Sequence, residues 1–359
     1  MKYAELFSGI GGFRRAAEHL SADTDIKFKC VGFSEIDPHA LKTYGSNYQL
    51  NGETRMQNIT EFTSKTENIK SLPSFDVLLG GFPCQAFSLL GKQLGLDDER
   101  GKILFSIHEL LKEKKPEFIV LENVRNIIQH DNGKTLNQIL DFFGDHQYQY
   151  IRYVILDTQH FGLPQRRARI FFVCSKRNLD LVLTDHAIID NFRRIEKHSL
   201  NVYGNVLDIL EKEVDQKYYL SEKIKKTILA NGSKNFWSKS QIDLEIARTL
   251  TASMVKMHRA CQDNYYSDDF ILKGISHLNT DREILYKKPV RKLTPPEALK
   301  LQGFDSAFFK NAIGAGVSEH QLYKQAGNAL SVNTGYALLH YLFVAQEIQH
   351  TRTDENIKK

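Results

Sequence analysis

Cysteine is scarce and dispersed: Cys30, Cys84, Cys174 and Cys261 are the only four in 359 residues. No two form a CxxC pair, so the chain carries no zinc ribbon, redox dithiol or disulfide framework, and each thiol is expected to be free. No metal site is expected. Long apolar runs are missing as well; FIVLENV (118–124) and RIFFVC (169–174) fall far short of the roughly 20 residues that cross a bilayer. The opening MKYAELFSGIGGF lacks the uninterrupted apolar stretch of a secretory signal, and a cytoplasmic location is expected. An excess of either charge is nearly absent: 48 Lys and Arg against 43 Asp and Glu leave +5, with a pI near 8.8. That value permits nucleic-acid binding without arguing for it. Internal repeats and low-complexity tracts are lacking too. What remains is 42% apolar and 25% charged, an ordinary globular balance, over a length that suggests about two domains.

The first 175 residues alternate short β-rich runs with amphipathic stretches, the pattern of an α/β fold with a mainly parallel sheet. Strands are predicted over 3–7, 29–34, 76–79, 116–124, 150–157 and 170–174. Helices are predicted after the glycines at 9, 11 and 12, near Pro38, over ILFSIHELLKE (103–113) and over TLNQILDFF (135–143). From 176 to 288 the pattern turns irregular, which predicts a second, smaller domain. Regularity returns at RKLTPPEALKLQGF (291–304), and the stretch from Gln321 to Ile348 ends in a predicted amphipathic helix. The expected division is therefore 1–175 with 289–350 as one domain and 176–288 as the other.

Three local patterns carry chemistry. FSGIGGF (7–13) stands between a predicted strand and a predicted helix, where glycines allow a tight turn and close approach of a ligand to the helix N-terminus. Its spacing departs from GxGxxG and suits an adenosyl ligand better than a dinucleotide; Glu35, after the second strand, stands where an acid bonds a ribose hydroxyl. GGFPCQAFS (80–88) puts Cys84 on a loop at a strand's carboxyl end, among Gly, Pro and polar neighbours that a purely structural thiol does not need. A thiol attacks only as thiolate and so requires positive charge or N–H dipoles nearby. QRRAR (165–169) offers Arg167 and Arg169, which alternate on an extended segment. Glu122 closes the apolar run PEFIVLENV, where partial burial would help it hold a proton near neutral pH.

Taken together and in this order, these segments resemble the DNA (cytosine-5)-methyltransferase family over nearly the full length. FSGIGGF, SEID (34–37), GGFPCQAFS, ENV (122–124), QRRAR, RKLTPPEALKLQGF and QAGNALSVN (325–333) are similar to successive family motifs. At the third motif the family usually has Asp where MQNITEF (56–62) has Asn58, whose carbonyl could still accept a bond from an adenine amino group.

The resemblance implies a Rossmann-like class I S-adenosylmethionine-dependent methyltransferase sheet with a smaller, irregular target-recognition domain. It implies S-adenosyl-L-methionine as methyl donor and cytosine in double-stranded DNA as acceptor. Cys84 would be the nucleophile, Glu122 the partner of ring N3 and the exocyclic amine, Arg169 the contact to O2, and Arg167 the residue that orients the nucleophile loop and a phosphate. Phe7, Gly9, Gly11, Glu35, Ile36, Asn58, Asn328 and Ala329 would line the cofactor pocket. Because a duplex hides carbon 6, the base must be rotated out of the stack. SLLGKQLGLDDERG (88–101) is then the expected lid, with Ser88 and Gln93 as DNA contacts, and TLTASMVKMHR (249–259) the expected major-groove segment through Thr249, Thr251, Lys256 and Arg259. A monomer that associates with the nucleoid and acts beside a restriction endonuclease of the same site fits this picture. An RNA (tRNA) cytosine-5 methyltransferase shares the catalytic motifs, and a catalytically silent DNA-binding regulator shares the fold. The long variable stretch favours DNA, and the intact Cys84, Glu122, Arg167 and Arg169 favour catalysis. An NAD-linked dehydrogenase would give no role to the Pro-Cys segment.

Overall fold

A computed structural model describes residues 1–82, 99–233 and 236–345. Its centre is a seven-stranded sheet made of β1 (Lys2–Leu6), β2 (Lys29–Phe33), β3 (Thr54–Arg55), β4 (Val77–Gly81), β5 (Phe118–Val124), β6 (Tyr150–Asp157) and β7 (Ala168–Ser175), in the order β3-β2-β1-β4-β5-β7-β6. All neighbours run parallel except β7, which is antiparallel to both β5 and β6. The order reverses between β1 and β4, and their carboxyl ends mark the switch point at which α/β sheets hold ligands.

The strands form where they do because their residues are buried on both faces. Val77, Leu78 and Leu79 are buried, as are Ile119, Val120 and Leu121, and parallel strands covered on both faces read as continuous apolar runs. The helix Lys134–Asp145 buries Leu136, Ile139, Phe142 and Phe143, the spacing of one helical face. In the helix Glu99–Lys114, Ile107, Leu110 and Leu111 do the same. The predicted amphipathic helix near the C-terminus is Val332–Phe343, and it differs from expectation in being buried along its length. Two of its polar residues find partners in other segments: His340 bonds Asn191 at 2.9 Å, and the Tyr341 hydroxyl donates to the Val182 carbonyl at 2.7 Å.

The chain divides into two compact units. One holds Met1–Asp157, Ala168–Ser199 and the chain from Thr334; the other holds Thr158–Arg167 and Leu200–Asn333. Residues 176–199 thus pack with the sheet, and 289–333 pack with the second unit. That unit has its own core of Leu220, Ile228, Leu229, Ile242, Tyr265 and Val290. It pairs the short strands Tyr265–Ser267 and Val290–Lys292, and among its helices are Pro295–Lys300, Ser306–Gly314 and Glu319–Asn328. RKLTPPEALKLQGF builds a tight knot there: Thr294 and Glu297 form a capping box with Pro295 at the first helical position, and the Glu297 carboxylate meets the Arg291 guanidinium at 2.7 and 2.9 Å with both side chains fully buried. Among the described residues no helix is long and apolar enough to cross a membrane.

Candidate active site

At the carboxyl end of β1 the backbone takes positive φ at Phe7 (54°), Gly9 (55°) and Gly11 (80°) before the helix α1 (Gly12–Asp23) begins. Only Gly fits position 11. Its φ is left-handed, and a Cβ there would stand 2.5 Å from the Tyr48 ring, whose hydroxyl donates to the Gly11 carbonyl at 2.7 Å. Phe7 is a non-glycine residue in the same conformation, a strain that the surrounding contacts must hold in place. Its N–H donates to the Ser34 hydroxyl, and its ring packs on the sheet's core.

Glu35 ties this turn to the end of β2. Its Oε2 accepts the Gly9 N–H at 2.8 Å, and its Oε1 accepts the N–H groups of Ile36 and Asp37, each at 2.8 Å. A carboxylate has about four acceptor positions, so three backbone donors leave one, on Oε2. Next to it Ile36 is 71% exposed, an unusual position for a large apolar side chain. Asp37 caps the helix α2 (Pro38–Asn47) through bonds from His39 and Ala40, with Pro38 at the first helical position.

Asn58 sits apart from its expected role. It caps the short helix α3 (Ile59–Thr63): its Oδ1 accepts from the Thr60 N–H at 3.0 Å and the Thr60 hydroxyl at 2.8 Å, while its amide donates to Glu61. Both acceptor positions of that carbonyl are filled. An adenine amino group would have to displace Thr60.

The catalytic candidates gather at β4, β5 and β7. Gly81 pairs with Glu122 across the parallel β4–β5 ladder, and Glu122 faces Phe171 while Val124 faces Arg169 across β5–β7. Residues 122 and 169 are therefore diagonal neighbours on one face, within reach of long side chains. Arg169 Nε lies 3.0 Å from Glu122 Oε1, both side chains being 15% exposed. Burial pulls the Arg169 guanidinium below its usual value, and Glu122 opposes that pull. A side chain at 81 would press on the Glu122 carboxylate, its Cβ 3.2 Å from Oε2. Asn123 joins the site without having been expected there. It is buried, and its amide donates to the Phe82 carbonyl at 2.8 Å, which anchors the chain two residues before Cys84. It stands inside the ENV motif, but nothing local marks its side chain as pointing to another strand. Cys84, Ser88 and Gln93 lie outside the described residues.

Arg167 is placed differently from Arg169. It is 2% exposed, and its guanidinium donates to the carbonyls of Leu250 (3.0 Å), Gly327 (3.0 Å) and Ala329 (2.8 Å). So enclosed a side chain has no face for a phosphate; it knots three segments of the second unit. Gly327 belongs to the same knot. A Cβ there would fall 2.2 Å from the backbone carbon of Thr251 and 2.3 Å from the Ala252 nitrogen. Asn328 is exposed at the end of its helix, and Ala329 is buried. In the expected groove-reading segment Thr251 and Lys256 are exposed, Arg259 is half-buried, and the Thr249 hydroxyl donates to the Arg166 carbonyl.

A family model described as C-5 cytosine-specific DNA methylase matches residues 1–343. The chain belongs to that family. It is 35% identical to the type II methyltransferase M1.ScrFI of Lactococcus lactis subsp. cremoris over 94% of this chain and 76% of that protein. With the type II methyltransferase M.HhaI of Haemophilus parahaemolyticus it shares 29% identity over 93% and 91%. Among solved structures, the Entamoeba histolytica methyltransferase EhMeth superposes with a TM-score of 0.72 at 24% identity, covering 96% of this chain and 98% of that one. The fold is thus that of the C5 methyltransferases, and the class of enzyme is transferase.

Proposed function

We propose that this methyltransferase modifies carbon 5 of a cytosine turned out of a specific short sequence in duplex DNA, through a transient bond from Cys84. The observation that carries the reading is the Glu122–Arg169 pair at the carboxyl edge of the sheet, beside the Gly81 end of the strand that leads to Cys84 three residues on.

Carbon 5 of cytosine is a poor nucleophile while the ring is aromatic. Attack of the Cys84 thiolate on carbon 6 interrupts that aromaticity and leaves carbon 5 enamine-like, dividing one hard step into two easier ones. Glu122 holds ring N3 and the exocyclic amine as electron density moves onto the ring, and Arg169, fixed at 3.0 Å from Glu122, donates toward O2. Once carbon 5 is methylated, loss of its proton returns the electron pair to the ring and expels the Cys84 sulfur. Asn123 acts as a positioning residue through Phe82. The base must leave the stack at a cost of a few kcal/mol, and Ser88 and Gln93 are the candidates to fill the gap.

The turn at β1 and β2 fits S-adenosyl-L-methionine, which supplies an electrophilic methyl on sulfur. Gly9 has open space where a Cβ would stand, Glu35 keeps one acceptor position for a ribose hydroxyl, and the exposed Ile36 and the Phe7 ring offer apolar surface for an adenine. Asn328 and Ala329 belong to the same reading, as do Thr249, Thr251, Lys256 and Arg259 on DNA. So does action as a monomer in the cytoplasm alongside an endonuclease of the same site. The test is to incubate the protein with plasmid and labelled cofactor and to map modified cytosines by sequencing. Methylation is expected at one short sequence, lost in Cys84→Ala while DNA binding persists; full transfer by that variant would refute the covalent route.

A further inference from the structure

An open basin of about 570 Å³ lies in the second unit, lined among others by Arg166, Arg248, Thr249, Thr251, Ser253 and His258. Its two walls are laced together through the backbone. The Arg166 N–H donates to the Ala247 carbonyl and the Ala247 N–H to the Pro164 carbonyl, both at 2.8 Å, in a short parallel bridge. The segment is extended, so side chains alternate. Gln165 points inward, fully buried, donating to the Leu301 carbonyl and accepting the Leu250 N–H; Arg167 points inward to its three carbonyls. Arg166, between them, is exposed and faces the basin.

Arg248 comes to the same basin from the other wall. It is half-buried, with one donor on the Gln241 carbonyl at 3.2 Å. Burial lowers its pKa, Tyr266, Cys261 and Asp263 oppose that, and the Arg166 charge on the same basin adds to the lowering. The acid on the basin is Asp263, which is buried and accepts the His258 N–H at 3.1 Å. Burial raises its carboxyl to about 6, against the pull of His258 and Arg248. Hydroxyls of Thr251 and Ser253 stand on the rim, Ser253 being bonded to His258 Nε2 at 3.1 Å.

Two arginines that line one open basin with hydroxyl donors beside them have the chemistry of a phosphate seat, since an anion's oxygens accept their forked donors. We propose that Arg166 and Arg248 together hold one backbone phosphate of the DNA duplex, with the Thr251 and Ser253 hydroxyls as further donors. The inference rests on the methyltransferase reading, and it moves the phosphate-binding role from Arg167 to its neighbour. Arg167 instead fixes the carbonyl of Leu250, inside the run that carries Arg248 and Thr251.

The test is equilibrium binding of the full chain to a synthetic duplex over roughly 50 to 200 mM salt, for wild type, Arg166→Gln, Arg248→Gln, Arg248→Lys and the Arg166/Arg248 double Gln variant. Abolishing the grip on one phosphate should flatten the log K against log salt slope by about 0.9. One shared phosphate predicts the same flattening in both single Gln variants and in the double, with Arg248→Lys close to wild type. An unchanged slope in Arg166→Gln, whose exposed side chain is not needed for folding, overturns the proposal. So does a doubled flattening in the double variant, which would mean two separate phosphates, or weaker binding confined to the methylated sequence at constant slope, which would mean base readout. Absence of methylation by the wild-type protein on any duplex would sink the methyltransferase reading itself, and it is scored separately from the slope.

Discussion

Replacing Arg167 by Ala discriminates between an arginine that orients the nucleophile loop and a phosphate and one that holds the second unit together. The guanidinium makes charge-assisted bonds to three carbonyls whose residues lie 83, 160 and 162 positions away in sequence. Bonds of this kind contribute about 1.5–3 kcal/mol each, so simple addition gives roughly 5–9 kcal/mol. The bonds are coupled, and a water that enters the vacated space can restore part of them, so the expected destabilisation is nearer about 3–5 kcal/mol. At about 2–4 °C per kcal/mol for a domain of this size, the melting transition of the second unit should fall by roughly 10 °C. The assay is a thermal melt followed by circular dichroism, run beside methylation kinetics well below the melting temperature. Arg167→Lys should recover part of the stability, because an ammonium can reach some of the carbonyls but not in a fork. A variant that melts within about 1 °C of wild type yet turns over about 100-fold more slowly would refute the structural assignment and return Arg167 to orienting the nucleophile loop.

Three further outcomes follow from the geometry. Arg291→Ala strands a fully buried Glu297 carboxylate and should destabilise by about 3–5 kcal/mol, measured by urea denaturation; a change under about 1 kcal/mol would contradict the buried pair. Gly11→Ala meets both a left-handed φ and the Tyr48 ring, so the affinity for S-adenosylmethionine by calorimetry should drop at least about tenfold, and wild-type affinity would disprove the turn's role. Glu5 is buried in β1, and burial raises its carboxyl to about 8 against the pull of Arg14 and the Tyr44 hydroxyl. Between its unfolded value of 4.5 and about 8 the folded chain keeps a proton that the unfolded chain gives up. Its contribution to stability is therefore full below that window and declines as pH rises, by at most about 1.4 kcal/mol per pH unit. Wild-type minus Glu5→Gln stability should fall across about pH 5 to 8 in denaturation titrations, and a flat difference would refute it.

The strands of the sheet's centre are legible in the sequence because FIVLENV and its fellows bury both faces and need no distant information to be recognised. The glycine turn is legible for a similar reason: few sequences tolerate three positive φ angles within five residues. The two-residue β3 is not, being too short for any periodicity. The helix Val332–Phe343 reads as one-sided because Tyr336, His340 and Tyr341 look polar, whereas each is buried and the last two have hydrogen-bond partners in other segments. QRRAR shows the limit most plainly. Alternation rightly separates Arg166 from its neighbours, but which set faces inward depends on carbonyls more than 80 residues away, and these leave no trace in the local pattern. Glu122 and Arg169 can be paired in advance from strand ends; Asn123, one residue on, cannot.

At Gly327 the nearest atoms to a built side chain are main-chain atoms of Thr251 and Ala252, at a distance that admits no side chain on the helix. A joint of that kind is blind to what the loop displays. Beyond it the turn Met254–Lys256 also packs on that helix, and Ala260 is buried in the unit's core, whereas the Lys256 side chain is exposed. On the proposed reading of this run as a DNA contact, exchange of the exposed Thr251 and Lys256 side chains is thus the smallest change that leaves both the seam and the core in place.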